Sequence, residues 1–422
     1  MEILFTILVS LVLLKGLVGA IEGICYHRDI RTHLASRLPN WTPRASVILP
    51  CKGMEHDLDK NVEALLKQNY PSYELLLVTA TAADPALPLL RQLAARFPEL
   101  HTKIVTAGIS QERGEKVHNL IQAISNADPS SEVFVFTDSD CRPHRNWLRD
   151  LVAPLQNEHI GVSTGYRWYF PSRQNFAGVL RSVWNGSIAT LLGNHNRNFA
   201  WGGSMAIRRS AFERANVLEH WKHTISDDYS MTQAMRKSKF RVHYEPRCLI
   251  GSYGQCGWSE LLEWSTRQMI ITKIYSRKLW KLALVSQWTF VLVWWWAVVR
   301  WAQAVWHQFS PASMFNSANA GHLLRYSLMV GFVFLLGAFR GLYRIQTIKL
   351  IHPDRRPDIN RFWWGYVLLF PLASTLTAYN LFVSVFTSAL EWRGVRYELQ
   401  SPIQVRVIRD DSRSLGFQKS LP

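Results

Sequence analysis

Asp138 and Asp140 stand one residue apart at the end of the apolar run Val133-Phe134-Val135-Phe136-Thr137. Side chains alternate along a strand, so both carboxylates point the same way. Two like charges about 4 Å apart repel by about 4 kcal/mol at an effective dielectric of 20, a cost that a cation or a shared proton relieves. Oxygen ligands at a strand end suit Mg or Mn, which bridge to a substrate's phosphates while keeping several waters. A solvated turn is the plainer reading of a bare Asp-Ser-Asp, and the remaining acidic and basic residues argue against it.

A second acidic pair, Asp227-Asp228, opens a helical stretch that continues through Gln233, Met235 and Arg236. Asp227 reads as the cap of that helix, the common structural use of an aspartate there. Asp228, facing the same cleft as Asp138 and Asp140, would be placed to take a proton from an acceptor hydroxyl. A helix amino terminus lowers its basicity, while the neighbouring Asp227 and partial burial raise it. Between the two pairs lies Trp201-Gly202-Gly203-Ser204-Met205, where paired glycines let the backbone approach a bulky group. Downstream, Arg267 and Gln268 sit on an amphipathic stretch; a guanidinium fork there either clamps a diphosphate or snorkels to lipid phosphates.

These residues need a scaffold, and the chain from about residue 44 to 243 alternates strand-like and helix-like segments. Ala45 to Leu49, Tyr73 to Val78, Lys103 to Thr106 and Glu132 to Phe136 read as strands; Leu58 to Gln68, Leu87 to Phe97 and Lys116 to Asn126 have helical periodicity. The succession predicts a parallel, helix-covered sheet with its ligand site at the carboxyl ends of the strands. Pro50 to Gly53, Thr79 to Asp84 and Thr137 to Asp140 all fall at such ends. The five cysteines carry no CxxC spacing, so a reduced cytoplasmic setting fits, with Cys141 in a packing role. The tail after Leu399 reads as loosely structured.

The rest of the chain is apolar. Leu282 to Trp306, with Arg300 its only charge, is long enough to span a bilayer; Leu323 to Phe339, Phe362 to Leu390 and, more weakly, Ile3 to Cys25 are further candidates. The net charge of +17 comes with basic residues beside these segments, among them Arg28, Arg31 and Arg37, and Lys273, Arg277, Lys278 and Lys281. That is the positive-inside pattern, and no nucleic-acid-binding motif accompanies it. His307 to His322 lacks Lys, Arg, Asp and Glu and is expected outside, which leaves the large polar region cytosolic. Basic stretches flank Phe362 to Leu390 on both sides, yet about 29 residues are too few for two full helices. A re-entrant hairpin broken near Pro371, or at Ser374 to Asn380, would keep the tail cytosolic. Trp280, Trp301 and Trp306 are expected at the bilayer boundaries.

Taken in order, the chain resembles the glycosyltransferase family 2-like enzymes, and within them the ceramide glucosyltransferase group. The residues carrying the likeness are Pro50-Cys51-Lys52-Gly53, Asn69 to Glu74, Asp84-Pro85, Gly114 to Leu120, Asp138-Ser139-Asp140, Gly203-Ser204-Met205, Asp227-Asp228-Tyr229, Arg267, and Trp392 to Tyr397 in the tail. The resemblance implies an α/β GT-A type nucleotide-sugar-binding domain, with a mixed, mostly parallel sheet, plus transmembrane helices. It implies an integral membrane protein with a cytosolic catalytic domain that moves one sugar from a UDP-sugar to a lipid hydroxyl, with inversion and a divalent cation, Mn or Mg. Asp138 and Asp140 would hold the metal diphosphate, Asp228 would be the general base, and Arg267 would belong to a QxxRW element. Lys52, Asp84, Lys116, Asp138, Gly203, Ser204, Asp227 and Gln268 would contact substrate. Two departures stand out: Trp264-Ser265-Thr266-Arg267-Gln268 keeps only the arginine of QxxRW, and the uracil-contacting aspartate is displaced, with Ala80 nearest its position and Asp84 four residues on. The expected organisation is an anchor over 1–26, a GT-A domain over 40–280, a membrane region over 281–392 and a cytosolic tail over 393–422. A processive polysaccharide synthase is the alternative enzyme, and a non-catalytic membrane scaffold the alternative outside enzymes. Few spans and the missing tryptophan weigh against the synthase. The clustering of acidic residues in the polar region weighs against a transporter-like scaffold.

Overall fold

A computed structural model of the chain describes residues 2–171, 175–309 and 317–408. Helix α1 (Glu2–Ala35) comes first and runs well past residue 26. Strands β1 (Ala45–Pro50), β2 (Tyr73–Thr79), β3 (His101–Thr106) and β4 (Val133–Thr137) then alternate with α2 (Leu58–Leu66), α3 (Leu87–Ala95) and α4 (Glu115–Ser125). Every residue of β1, β2 and β4 is buried, which is why these strands are mostly apolar, the buried Glu74 of β2 accepting from the Ser46 hydroxyl at 2.6 Å. β1 lies between β2 and β4, parallel to both, with Val47 opposite Leu75 and Val135.

The second half of the domain adds α5 (Trp147–Val152), β5 (Ile160–Pro171), α6 (Phe176–Ala189), β6 (Ser204–Arg208), α7 (Arg209–Arg214), α8 (Val217–Trp221), α9 (Asp227–Lys237) and β7 (Arg241–Gly254). The sheet order is β3-β2-β1-β4-β6-β5-β7, with β6 antiparallel to β4 and β5, and β5 parallel to β7. The sheet is thus mixed and mostly parallel, as the resemblance implies. The antiparallel β6 matters for the site: its register sets Ser204 opposite Thr137, so the Gly202-Gly203 turn runs beside the acidic end of β4.

Beyond the sheet come α10 (Trp258–Tyr275), α11 (Arg277–Phe309), α12 (Ser317–Ile351), α13 (Arg356–Arg361), α14 (Trp363–Leu368) and α15 (Phe370–Phe386). Among the described residues, three segments are long and apolar enough to cross a membrane: Ile7–Ala35, Arg277–Gln308 and Ala320–Ile351. The uncharged connection expected outside lies partly beyond the described residues. The break between α14 and α15 falls at Leu369, and Pro371 sits in the first turn of α15, where its missing N–H needs no partner. Trp280, expected at a bilayer boundary, is buried and donates to Ser384 Oγ at 2.9 Å.

The tail departs from the expectation of a loose segment. β8 (Ala389–Trp392), β9 (Val395–Ser401) and β10 (Gln404–Ile408) form an antiparallel sheet, so the expected boundary at 392 falls inside a hairpin. Arg393 and Gly394 turn it with φ of 51° and 75°, the two positive angles a tight primed hairpin turn requires. Leu390, Val395, Tyr397 and Leu399 are buried against Ile225, Ile270, Ile271 and Tyr275, which seats the tail on the polar domain. At the other end, Arg247 of β7 donates to the carbonyls of His33, Leu34 and Ser36 at 2.8–3.1 Å, satisfying the orphan acceptors at the end of α1. Glu245 orients that arginine at 2.9 Å and accepts from His33 Nε2 at 2.8 Å.

Candidate active site

The acidic pair at the end of β4 is wrapped in cations. Arg167, from the middle of β5, reaches Asp140 through Nη1–Oδ2 at 2.9 Å and Nη2–Oδ1 at 3.1 Å, and Asp138 Oδ2 through Nη2 at 3.2 Å. Lys116, in the first turn of α4, reaches Asp138 Oδ1 at 2.7 Å and Asp227 Oδ2 at 3.0 Å. Burial works against every charge here, yet Arg167 still holds the Asp140 carboxyl below the usual range. Asp138 and Asp227 likewise keep the proton on Lys116 well above the usual lysine range despite burial. Asp227 goes the other way: burial, helped by Asp228 and Asp138, pushes its carboxyl up to about 6 against the pull of Lys116.

The cap of α9 corrects one expectation. Ser226, not Asp227, is the N-cap, its Oγ accepting from Tyr229 N at 3.2 Å. The serine does this because Asp227 faces Lys116 instead. Asp228 turns one oxygen, Oδ1, to Tyr229 N at 2.7 Å and to the Ser226 hydroxyl, leaving Oδ2 unbonded among the described residues. The paired glycines belong to this geometry. A Cβ on Gly202 would stand 2.0 Å from Asp227 Oδ2 and 2.6 Å from Lys116 Nζ, and one on Gly203 would stand 2.8 Å from Asp138 Oδ2. Gly202 makes room for the Asp227–Lys116 pair, and Gly203 makes room first for the Trp201 ring, 2.3 Å from such a Cβ, and then for Asp138.

One cavity of about 2060 Å³ gathers Lys52, Lys116, Asp138, Asp140, Asp227, Asp228, Arg267 and Gln268. Asp84, Gly203 and Ser204 do not line it. Asp84 accepts from Gly53 N at 3.0 Å and Ala86 N at 2.9 Å, pinning the loop after β1. Ser204 is fully buried and accepts from Trp147 Nε1 at 2.8 Å. Lys52 pairs with Glu115 at 2.9 Å. Arg267 lies over the Trp392 ring at 5.5 Å and forms no ion pair among the described residues. The tail adds Arg393, which donates to Lys52 O at 3.2 Å and pairs with Glu55. Arg167 and Glu55 were not anticipated. The signal for Arg167 is a lone charge within the apolar strand Ile160-Gly-Val-Ser-Thr-Gly-Tyr-Arg-Trp-Tyr-Phe, where a partner of opposite charge is required.

The donor set fits a divalent cation in part. The carboxylates of Asp138 and Asp140 and the Cys141 thiol offer ligand atoms within 4.8 Å of one another. Burial pushes the Cys141 thiol far up, so it stays protonated and leaves an all-oxygen pair, the chemistry Mg and Mn prefer.

A family model for glycosyl transferase family 21 matches residues 11–404. The chain belongs to that family. It is 24% identical over 197 residues to ceramide glucosyltransferase 1 of Caenorhabditis elegans, 46% of this chain and 42% of the relative. It is 21% identical over 251 residues to glycosyltransferase AglE of Haloferax volcanii, 56% of this chain and 80% of that one. The match spans less than half the length of the ceramide glucosyltransferases from the nematode. Among solved structures, the mannosyltransferase PcManGT from Pyrobaculum calidifontis, determined with GDP-Man and Mn2+, aligns over 83% of this chain and 99% of its own at 16% identity and a TM-score of 0.45.

Proposed function

We propose that this family 21 chain moves one sugar from a UDP-sugar to the hydroxyl of a membrane lipid, in one in-line displacement with inversion at the anomeric carbon. The observation that carries the reading is the presence of Asp228, with a free carboxylate oxygen, in the same cavity as Asp138 and Asp140. As the acceptor oxygen bonds to the anomeric carbon, the bond from that carbon to the diphosphate oxygen breaks and UDP leaves with the electron pair. The acceptor's proton passes to Asp228. Asp138 and Asp140 would hold a Mn or Mg ion, which supplies positive charge to the departing diphosphate. Lys116, Arg267 and Arg393 add fixed positive charge on the same side, the preorganised electrostatics expected to carry much of the rate.

The lipid acceptor is supported by the course of the cavity. It continues from the aspartates to Lys15 and Gly19 on α1, to Leu279, Ser286 and Gln287 on α11, and to Thr377 on α15, so that it meets the apolar helices. With α1, α11 and α12 as spans and α14–α15 re-entrant, the polar domain and the tail share the cytosolic face. A processive synthase would need the same donor site and a polymer channel. Purified protein given UDP-glucose and lipid extracts tests the reading: lipid-stimulated UDP release and a singly glycosylated lipid by mass spectrometry are expected. Release that no lipid extract accelerates would remove the acceptor assignment, and a long polymer would favour the synthase.

A further inference from the structure

Each oxygen of the acidic pair is already engaged by a cation of the chain. Lys116 takes Asp138 Oδ1 at 2.7 Å, and the Arg167 fork takes Asp138 Oδ2 at 3.2 Å and both oxygens of Asp140 at 2.9 and 3.1 Å. The guanidinium is held from behind as well, lying 4.8 Å from the Trp201 ring centroid and 5.5 Å from that of Tyr169, whose hydroxyl accepts from Nη1 at 2.9 Å. Its side chain is 12% exposed. This is a built ion-pair network, not a solvated arginine that happens to lie nearby.

A divalent ion bridging the two carboxylates and the Arg167 fork compete for the same oxygens. Charge decides when each wins. Arg167 offsets one of the pair's two negative charges and Lys116, shared with Asp227, part of the other, so a bare divalent ion would have to displace a well-seated fork from a largely compensated pair. A nucleotide diphosphate changes the balance. It carries enough negative charge to satisfy the metal and the released guanidinium together, and a phosphate accepts an arginine fork as well as a carboxylate does.

We propose that Arg167 is the resident cation of the Asp138–Asp140 pair in the donor-free protein, and that a divalent ion replaces it only in company with a nucleotide diphosphate, to whose phosphates the guanidinium transfers. Arg167 is then a positioning residue that couples metal binding to donor binding and holds the acidic pair together between turnovers. The proposal rests on Asp138 and Asp140 being the metal's ligands.

The test is Mn2+ binding to the purified full chain in detergent, followed by the electron paramagnetic resonance signal of free Mn2+, with and without UDP. The wild type is expected to bind Mn2+ at least tenfold more tightly with UDP than without. Arg167→Gln is expected to tighten binding of Mn2+ alone at least tenfold and so narrow the difference. Arg167→Lys, which keeps the charge but loses the fork, should fall between, and remains informative if the glutamine variant does not fold. Arg167 variants that bind Mn2+ alone no better than the wild type overturn the proposal. Adding Asp140→Asn separates the two levels: if Mn2+ binding survives it, the ligand assignment has failed; if binding is lost while Arg167 changes have no effect, only the exchange has failed.

Discussion

Asp227 and Asp228 are adjacent, yet their surroundings give them different work. Asp228 is expected to act on the acceptor: Asp228→Asn should cut kcat by at least about a hundredfold, the scale of losing a general base, with the Kd for UDP-sugar nearly unchanged. Asp227 shares Lys116 with Asp138, so Asp227→Asn should raise donor KM more than it lowers kcat. Steady-state kinetics on both variants check the assignment, and the opposite split would exchange the roles. Gly202→Ala is a third case. Its Cβ would stand 2.0 Å from Asp227 Oδ2, so the carboxylate must leave Lys116. Donor affinity should fall at least tenfold, with overpacking costing about 1–3 kcal/mol of stability. Calorimetry with UDP and a denaturant titration read the two effects.

The β8–β9 hairpin is the element that closes the site, because its turn carries Arg393 to Lys52 and Glu55. Burial pushes the Glu55 carboxyl up while Arg393 pulls it down, so the contact is partly desolvated and sensitive to loss of either partner. Arg393→Ala is expected to weaken UDP binding by about tenfold while the apolar face of the hairpin stays packed. Unchanged affinity in calorimetry would make the hairpin a structural strap only. Gly394→Ala tests the turn itself: at φ 75° a Cβ is strained, and a loss of more than about 1 kcal/mol should appear in thermal melts. The reason lies in the backbone, since only residues free of a Cβ tolerate that region without penalty.

At the scale of the whole molecule, α1 is tied to the sheet through Glu245. Burial pushes this carboxyl up, but His243 at 3.8 Å, the hydrogen bond from His33 and the charge of Arg247 bring it down to about 2. An unfolded glutamate titrates near about 4.3. The depressed folded value therefore adds stability above about pH 4.3, and that stability is lost as pH falls from there through about 2. The term is on the order of 3 kcal/mol. Melting curves over this range should steepen in the wild type and flatten in Glu245→Gln. The placement of the tail is also a property of the whole. Cys25 is the exposed cysteine among the described residues, so Gln404→Cys in a Cys25→Ser background provides a single accessible label. A membrane-impermeant reagent should leave it unmodified in intact cells and modify it once the membrane is opened. Modification in intact cells would place the tail, and with it the hairpin's contact to Lys52, on the wrong side for a cytosolic donor.

By itself the sequence determined what depends on short-range periodicity. Alternation along β4 sets Asp138 and Asp140 on one side, the succession of strand and helix patterns predicts a largely parallel sheet with its site at the strand ends, and apolar length marks α1, α11 and α12. Of the two breaks the sequence offered, near Pro371 and at Ser374 to Asn380, the helix break lies at Leu369, beside the proline. The tertiary structure alone decided which charges meet. Ser226 caps α9 because α4 brings Lys116 to Asp227; Asp84 pins a loop because Gly53 N comes within 3.0 Å; Arg167 reaches Asp138 across 29 residues of chain. Arg393 meets Lys52 from 341 residues away because the α14–α15 break and the apolar face of the tail hairpin return it to the polar domain. Electrostatic compensation is set by distance in space, and no local pattern carries that distance.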